Sequence, residues 1–570
     1  MRKALLAIVV VFFLALGILG LALLISLGSS SSPRSASVLY WELDGGLPEA
    51  AWAPPSFLPT PAGNLTFAEA FAGLRRARTD NHVRRLAIYF RSPELGLAKA
   101  EEIRRQLSLL RQAGKTVSCY LESAGEGRNG TLPYFLATAC DQIALAPPGE
   151  INLLGLYSEG MFLRSTLDKL RISPNFSAAG VYKSAIETYT RSDRSDAAEE
   201  AVSAVLDQDF SALVAGIAEG RGLSEEAVRG LIDGGVYGGK TALARQLVDQ
   251  LLYPDEFLEQ IELDGGHRLQ RVDLGEYGRG ASGGGRKVAV VFASGVIVSG
   301  KSYGGGFLGE RSVGSDDFTA TLKSLAEDDS IRAVVLRIDS PGGSALASDL
   351  ILRALDRLAE KKPLVASFSD LAASGGYYIA SHAPTIVAES TTLTGSIGVF
   401  SGKLVTGRFE GEILGITRDP IKRGANADLY SSTVPFSPEQ AALMQGRVEE
   451  IYETFLGHVA TGRKLSRDEI HAVAQGRVWT GQHALERRLV DRLGGLDLAI
   501  ELAAEAAGIS EPTDVRLAFY PGATTLFDQI FDSRWAAARL RPDLFDLGAL
   551  PRAPSALELP AHLAALARPF

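Results

Sequence analysis

A stretch near the middle of the chain recurs near its end. "VYGGKTALARQLVDQL" (236–251) reads against "VWTGQHALERRLVDRL" (478–493). "YWELDGG" (40–46) matches "VVFASGV" (290–296), and "RRLAIYFRSPELGLA" (84–98) matches "IRAVVLRIDSPGGSALA" (331–347). "YFLATACDQIALAPPGEINLLGL" (134–156) matches "YYIASHAPTIVAESTTLTGSIGV" (377–399). The offset stays at about 240 to 250 residues throughout, as a duplicated module requires. Length alone would leave a chain of 570 residues anywhere from roughly two to four domains.

Within each half, short Val/Ile/Leu runs alternate with helix-period patterns. "RAVVLRI" (332–338) reads as a buried strand, "ASDLILRALDRLAEKK" (347–362) as a helix, and "LVASF" (364–368) as the next strand. Such alternation predicts an α/β fold with parallel pairing. "FSPEQAALMQGRVEEIYETFLGHVA" (436–460) opens a long helix with Ser437 as N-cap, Pro438 at N1 and Gln440 at N3, a capping box. The organisation expected is an anchor and tether over 1–37, a first module over 38–275, a second over 276–511 and a C-terminal extension over 512–570, in which "VRLAFYPG" could form one last strand. "GEYGRGASGGGRK" (275–287) is the Gly-rich joint.

The anchor is residues 4–28, "ALLAIVVVFFLALGILGLALLISLG", which carry no charge and follow Arg2 and Lys3. As a helix this run is long enough for a bilayer core of ~30 Å, longer than the h-region of a cleaved signal peptide. The positive-inside rule keeps Arg2 and Lys3 in the cytoplasm and puts the rest outside it. In a bacterium that predicts a single-pass protein of the inner membrane with its folded part on the periplasmic side. A net charge of −9 gives no electrostatic support to nucleic-acid binding. Cys119 and Cys140 cannot make a Cys-rich zinc site or a disulfide framework and are expected as buried bystander thiols. The histidines are scattered without metal-ligand spacing, so no metal and no cofactor is expected.

"DLAASGGYYIAS" (370–381) sets Ser374 among small residues, after a strand and before a helix, where unsatisfied N–H groups point outward. An N-cap serine in a tight turn would read the same way locally. "DSPGGS" (339–344) separates the two readings. It ends the neighbouring strand, with Pro341 fixing a turn and Gly342 and Gly343 letting backbone amides approach a ligand. In the first half the matching stretches are "SPELGL", where Glu94 replaces the first glycine, and "NGTLPYF" (129–135), with Thr131 in the approximate place of the serine. One half is equipped for chemistry and the other reads as scaffold.

A serine needs a base. His382 is eight residues beyond Ser374, ~12 Å along a helix and out of hydrogen-bond reach, so it is expected as a packing residue. A neutral lysine serves if burial lowers its pKa. Two lysines occupy matching places in the halves, Lys183 in "AAGVYKSAIETYTRSD" (178–193) and Lys422 in "DPIKRGANADLYSS" (419–432).

"DSPGGS", "ASGGYYIAS", "TGSIGV" (394–399) and "VYKSAIE" together resemble the signal peptide peptidase A (protease IV) family, peptidase S49, in its long, duplicated form. The resemblance covers the anchor and both halves, and implies two tandem Clp/crotonase-like modules. It implies a Ser–Lys dyad with Ser374 as nucleophile and Lys183 as general base, Ser396 holding the lysine amine, and the N–H groups of Gly375 and Gly343 as oxyanion donors. Lys422 matches the lysine region of the short family members and is the alternative base. The implied partners are signal-peptide remnants and other hydrophobic peptides, the membrane, and further copies of the chain in a bowl-shaped homotetramer. A non-catalytic, ring-forming, peptide-binding scaffold is the alternative. An acyl-CoA enzyme of the same superfamily disagrees with the exported topology.

Overall fold

The computed structural model describes residues 35–50, 65–279, 284–303 and 311–521. The apolar run 4–28 and most of the 512–570 extension lie outside these residues.

The first half alternates β1 (Ser37–Gly46), α1 (Phe67–Thr79), β2 (Val83–Glu94), α2 (Leu97–Gln112), β3 (Thr116–Leu121), α3 (Thr131–Ala137) and β4 (Gln142–Leu145). Then come β5 (Ser173–Ala179), the long helix α4 (Asp196–Arg221), β6 (Gln250–Leu251) and β7 (Gln270–Asp273). Six strands form a parallel sheet in the order β7-β1-β2-β3-β4-β6. Helices cover its faces, which is why its strands read as continuous apolar runs.

The second half repeats the plan with β8 (Arg286–Ser294), β9 (Ile331–Ser340), α5 (Ala345–Ala359), β10 (Leu364–Ala373), α6 (Gly375–Ala380), β11 (Ile386–Ala388) and β12 (Leu393–Gly395). It continues through β13 (Val399–Val405), α7 (Pro438–Arg463), β14 (Val478–Thr480), β15 (Arg492–Leu493), α8 (Leu496–Ala506) and β16 (Val515–Tyr520). The eight-stranded sheet runs β14-β12-β10-β9-β8-β16, with β11 beside β10 and β15 beside β11. Antiparallel pairing of 393–395 with 478–480 repeats that of 150–152 with 236–238 in the first half. α7 opens with the expected capping box, Ser437 accepting from Gln440 N–H.

Two features bind the halves more tightly than a Gly-rich joint between separate modules would. β5 pairs antiparallel with β13 from Ser173↔Val405 to Ala179↔Val399. One hydrophobic cluster also crosses the boundary: Leu496, Ala499, Ile500 and Ala503 of α8 pack with Leu74, Ile103 and Leu107 of the first half and Val288, Val335 and Val365 of the second.

One expectation is met and another changes. "VRLAFYPG" forms the last strand expected of it: Val515–Tyr520 is the edge strand of the second sheet, pairing in parallel with 286–291. Cys119 and Cys140 are not bystander thiols but a disulfide, with Cα atoms 6.0 Å apart. Their separation in sequence hides that β3 and the end of α3 are neighbours. Among the described residues, α4 alone has the length and composition of a membrane span, yet its Leu213, Val214 and Ile217 lie in the shared core.

α4 also carries Asp209, buried at 5 % exposure, with no hydrogen-bond partner for Oδ1. Burial, and secondarily the charge of Glu101, push its carboxyl up to about 8. Folding then takes up a proton between the ordinary carboxylate value and pH 8, so stability falls as pH rises through that window. Asp209→Asn removes this dependence. Thermal or urea unfolding should find the variant increasingly favoured from pH 5 to pH 8, by at most about 1.4 kcal/mol per pH unit. A difference that does not change with pH would count against a protonated Asp209.

Candidate active site

β10 ends at Ala373 and α6 begins at Gly375, leaving Ser374 alone in the turn with φ 53° and ψ −117°. Such a backbone costs an L-residue about 1–3 kcal/mol. Two bonds hold it: Ser374 N–H donates to Gly395 O at 2.9 Å, and Ser374 O accepts from Tyr378 N–H at 2.8 Å. In this conformation the side chain meets the first module.

The first module reaches the site through the β5–β13 ribbon. β5 leads into Gly180, and Tyr182 N–H donates to Gln475 O at 2.9 Å. Lys183 follows, 8 % exposed. Its Nζ lies 3.3 Å from Ser374 Oγ, 2.9 Å from Ser396 Oγ and 3.0 Å from Ser396 O. Burial alone brings this amine down to about 7. A neutral amine has two protons and one lone pair. Ser396 offers two acceptors for the protons, leaving the lone pair for the Ser374 hydroxyl proton.

The "SPGG" turn lies alongside. Ser340 Oγ accepts from Gly342 N–H at 3.1 Å and donates to Gly295 O at 2.6 Å, which stiffens the turn. Gly343 has φ +152°, and a Cβ there would come within 2.1 Å of Ile297 O, so only glycine fits. Its N–H and that of Gly375 donate to no protein acceptor among the described residues, and the two glycines are in close approach. Two free donors beside a hydroxyl are what an oxyanion requires. A cavity of about 70 Å³ opens here, lined by Lys183, Ser374, Tyr378, Val399, Ile451 and Phe455 among others.

Ser374, Lys183, Ser396, Gly375 and Gly343 are thus brought together in one place. Lys422 is not. Its Nζ pairs with Asp428 at 2.7 Å on the surface, its side chain 41 % exposed. His382 is a packing residue: Nδ1 faces Asp356 at 3.0 Å and Nε2 the carbonyl of His458 at 3.1 Å. Thr131 starts α3, the counterpart of α6, but its Oγ1 accepts from the N–H groups of Leu154 and Gly155, both at 3.0 Å, and is committed to the scaffold. The sequence reading missed the pocket walls. Tyr378 lay inside the quoted motif, but Ile451 and Phe455 come from α7, whose pattern shows only a core helix.

The model of peptidase family S49 matches residues 110–266 and 356–510, one segment in each half. The chain is 34% identical over 429 residues to the "Serine protease SPPA, chloroplastic" of Arabidopsis thaliana, covering 73% of this chain and 62% of that protein. It is 33% identical over 452 residues to the "Protease 4" of Salmonella typhi, covering 77% and 71%. To the "Protease 4" of Haemophilus influenzae it is 30% identical over 494 residues, covering 79% and 74%. The chain belongs to peptidase family S49.

Proposed function

We propose that the chain is a serine endopeptidase working through a Ser374–Lys183 dyad on signal-peptide remnants and other hydrophobic peptides. The observation that carries it is the 3.3 Å approach of a buried lysine amine to Ser374 Oγ. Ser374 Oγ attacks the scissile carbonyl as neutral Lys183 takes its proton. The tetrahedral oxygen receives the N–H groups of Gly343 and Gly375. The Lys183 ammonium then protonates the leaving amine as the C–N bond breaks, and water repeats the sequence against the acyl-enzyme. Ser396 keeps the amine aimed. The apolar walls Tyr378, Val399 and Phe455 and the exposed Leu346 and Leu350 nearby on α5 suit hydrophobic chains.

The uncharged run 4–28 supports a single-pass anchor in a bacterial inner membrane with the peptidase on the periplasmic side. The duplication supports a ring. Within the chain, 399–405 pairs with 173–179; the repeat counterparts, 156–162 and 412–418, carry no strand pairing among the described residues. Tyr157 in the first is 74 % exposed, and Ile413 and Leu414 in the second are 54 % and 55 % exposed. A neighbouring copy joining these segments head to tail closes a ring, of four in the form the resemblance implies.

A fluorophosphonate probe tests the chemistry. It should phosphonylate the full-length protein once, and peptide mapping should put the adduct on Ser374. An unlabelled chain, or an adduct elsewhere, would sink the assignment.

A further inference from the structure

A knot of buried charge lies between the modules, directly behind the two strand ends that carry the site. The first module contributes Glu49 and, on α2, Lys99 and Glu102. The second contributes Arg337 and Asp339 on β9 and Asp370 on β10. Arg337, fully buried, pairs with Glu49 at 2.9 Å and Glu102 at 2.7 Å. Lys99 Nζ stands 3.0 Å from Glu49, 3.6 Å from Asp339 and 3.7 Å from Asp370, and donates to Leu47 O at 3.1 Å. Four carboxylates thus face two cations, and each cation is shared.

The position of Asp339 and Asp370 gives this arrangement its meaning. Asp339 immediately precedes Ser340 and the "PGG" turn; Asp370 is four residues before Ser374. Between them the β9–β10 pairing is broken. The register runs to Ile338↔Phe368 and resumes at Ser340↔Ala372, so 369–371 bulge from the ladder. The ladder resumes only at the last pair before the site, and inside the gap the two carboxylates repel unless a cation stands between.

The bulge sets Asp370 on the N-terminus of α2. That helix starts at Gly96 with no side-chain cap of its own. Asp370 Oδ1 accepts from Lys99 N–H at 2.8 Å, the bond an N-cap side chain would make, here supplied by the other module. Gly96 is the residue that permits it: a Cβ there would lie 2.2 Å from the Asp370 carboxyl.

We propose that Lys99 and Asp370 are positioning residues of the peptidase site, a clamp by which α2 of the first module holds the oxyanion turn at Gly343 and the nucleophile Ser374 at their working separation. The first module then acts on the site twice, with a base through β5 and a clamp through α2. The ionisation of the group supports this. Burial, with the charges of Asp370 and Glu49, raises Asp339 to about 6 against the pull of Lys99 and Arg337, so Lys99 is the cation on which its charged form depends.

The proposal rests on the peptidase reading above, and its test separates the two. In the full-length protein, competent sites are counted by fluorophosphonate titration, kcat and KM are measured per site on a hydrophobic peptide, and unfolding is followed by heat. Lys99→Met keeps the stem and removes the charge. It should lower kcat and the phosphonylation rate together by about 10²-fold, the size expected when reacting groups shift by about 1 Å, with KM within about threefold. Gly96→Ala leaves every charge in place and only displaces the Asp370 carboxylate; it should lower kcat by about tenfold, a smaller misplacement of the same kind. Normal kcat per titrated site in either folded variant, even with a lower melting temperature, makes the cluster merely structural and overturns the proposal. If Lys99→Met does not fold, Gly96→Ala decides alone. A wild-type chain that is not labelled at Ser374 overturns the peptidase reading and this proposal with it.

Discussion

Ser374→Ala is expected to cut peptide hydrolysis by at least ~10⁴-fold, the scale of losing a nucleophile whose partners act only through it, while the protein folds as before. The fold has no need of the hydroxyl. Ser374 is held through its backbone, by the Gly395 carbonyl and the Tyr378 amide, and α6 has no side-chain cap bond from it. Alanine keeps the Cβ, so the strained φ of 53° costs both residues about the same. Phosphonylation should vanish with hydrolysis. Hydrolysis near the wild-type rate in the alanine variant would remove Ser374 from the mechanism. Lost activity together with lost cooperative unfolding would instead make the hydroxyl a structural element of the turn.

How much of this could be read from the sequence differs from element to element. The repeat was legible because each module is built from local patterns, apolar runs alternating with helical periods, and these survive duplication. Ser374 and the "SPGG" turn were legible because strained turns demand glycine and small residues at fixed offsets. Lys183 was harder. It stands 191 residues from Ser374, delivered by a ribbon whose first strand, "SPNFSAA", is polar and mostly half-buried and lacks a strand pattern. Its place in the repeat marked it as one of two candidates, and only the family resemblance chose between them.

The charge cluster left still less trace. Nothing in "RAVVLRI" shows what a buried arginine would pair with: Arg337 is fully buried and its partners, Glu49 and Glu102, come from the other module. "SPELGL" read as a decayed copy of "SPGGSA". Its Glu94 is indeed no longer part of an oxyanion turn, but Gly96 is kept for the close approach of Asp370. Pairs formed across a module boundary have no periodicity, so no local pattern announces them.

Lys183→Met should lower kcat/KM by at least ~10²-fold, the low end for losing a general base, and should make the protein more stable at the same time. The two effects have one cause. Burial holds the Lys183 amine near 7 in the folded protein, whereas an unfolded lysine titrates near ~10.4. Between these values the unfolded chain binds one more proton than the folded one, so wild-type stability rises with pH across that window. Below about pH 7 the folded state carries the full cost of burying the ammonium. Methionine fills the same space without a charge. Its advantage in melting temperature over the wild type should therefore be largest near pH 6 and fade toward pH 10. Wild-type activity should run the same way, climbing as the amine loses its proton around pH 7 and levelling above it. Lys422→Met supplies the contrast: its exposed pair with Asp428 is screened by solvent and contributes little, and hydrolysis should barely change. An inactive Lys422 variant beside an active Lys183 variant would assign the base to the wrong half. A Lys183→Met protein that is inactive but gains no pH-dependent stability would mean that the amine is charged in the resting enzyme, and that peptide binding, not the fold, strips its proton.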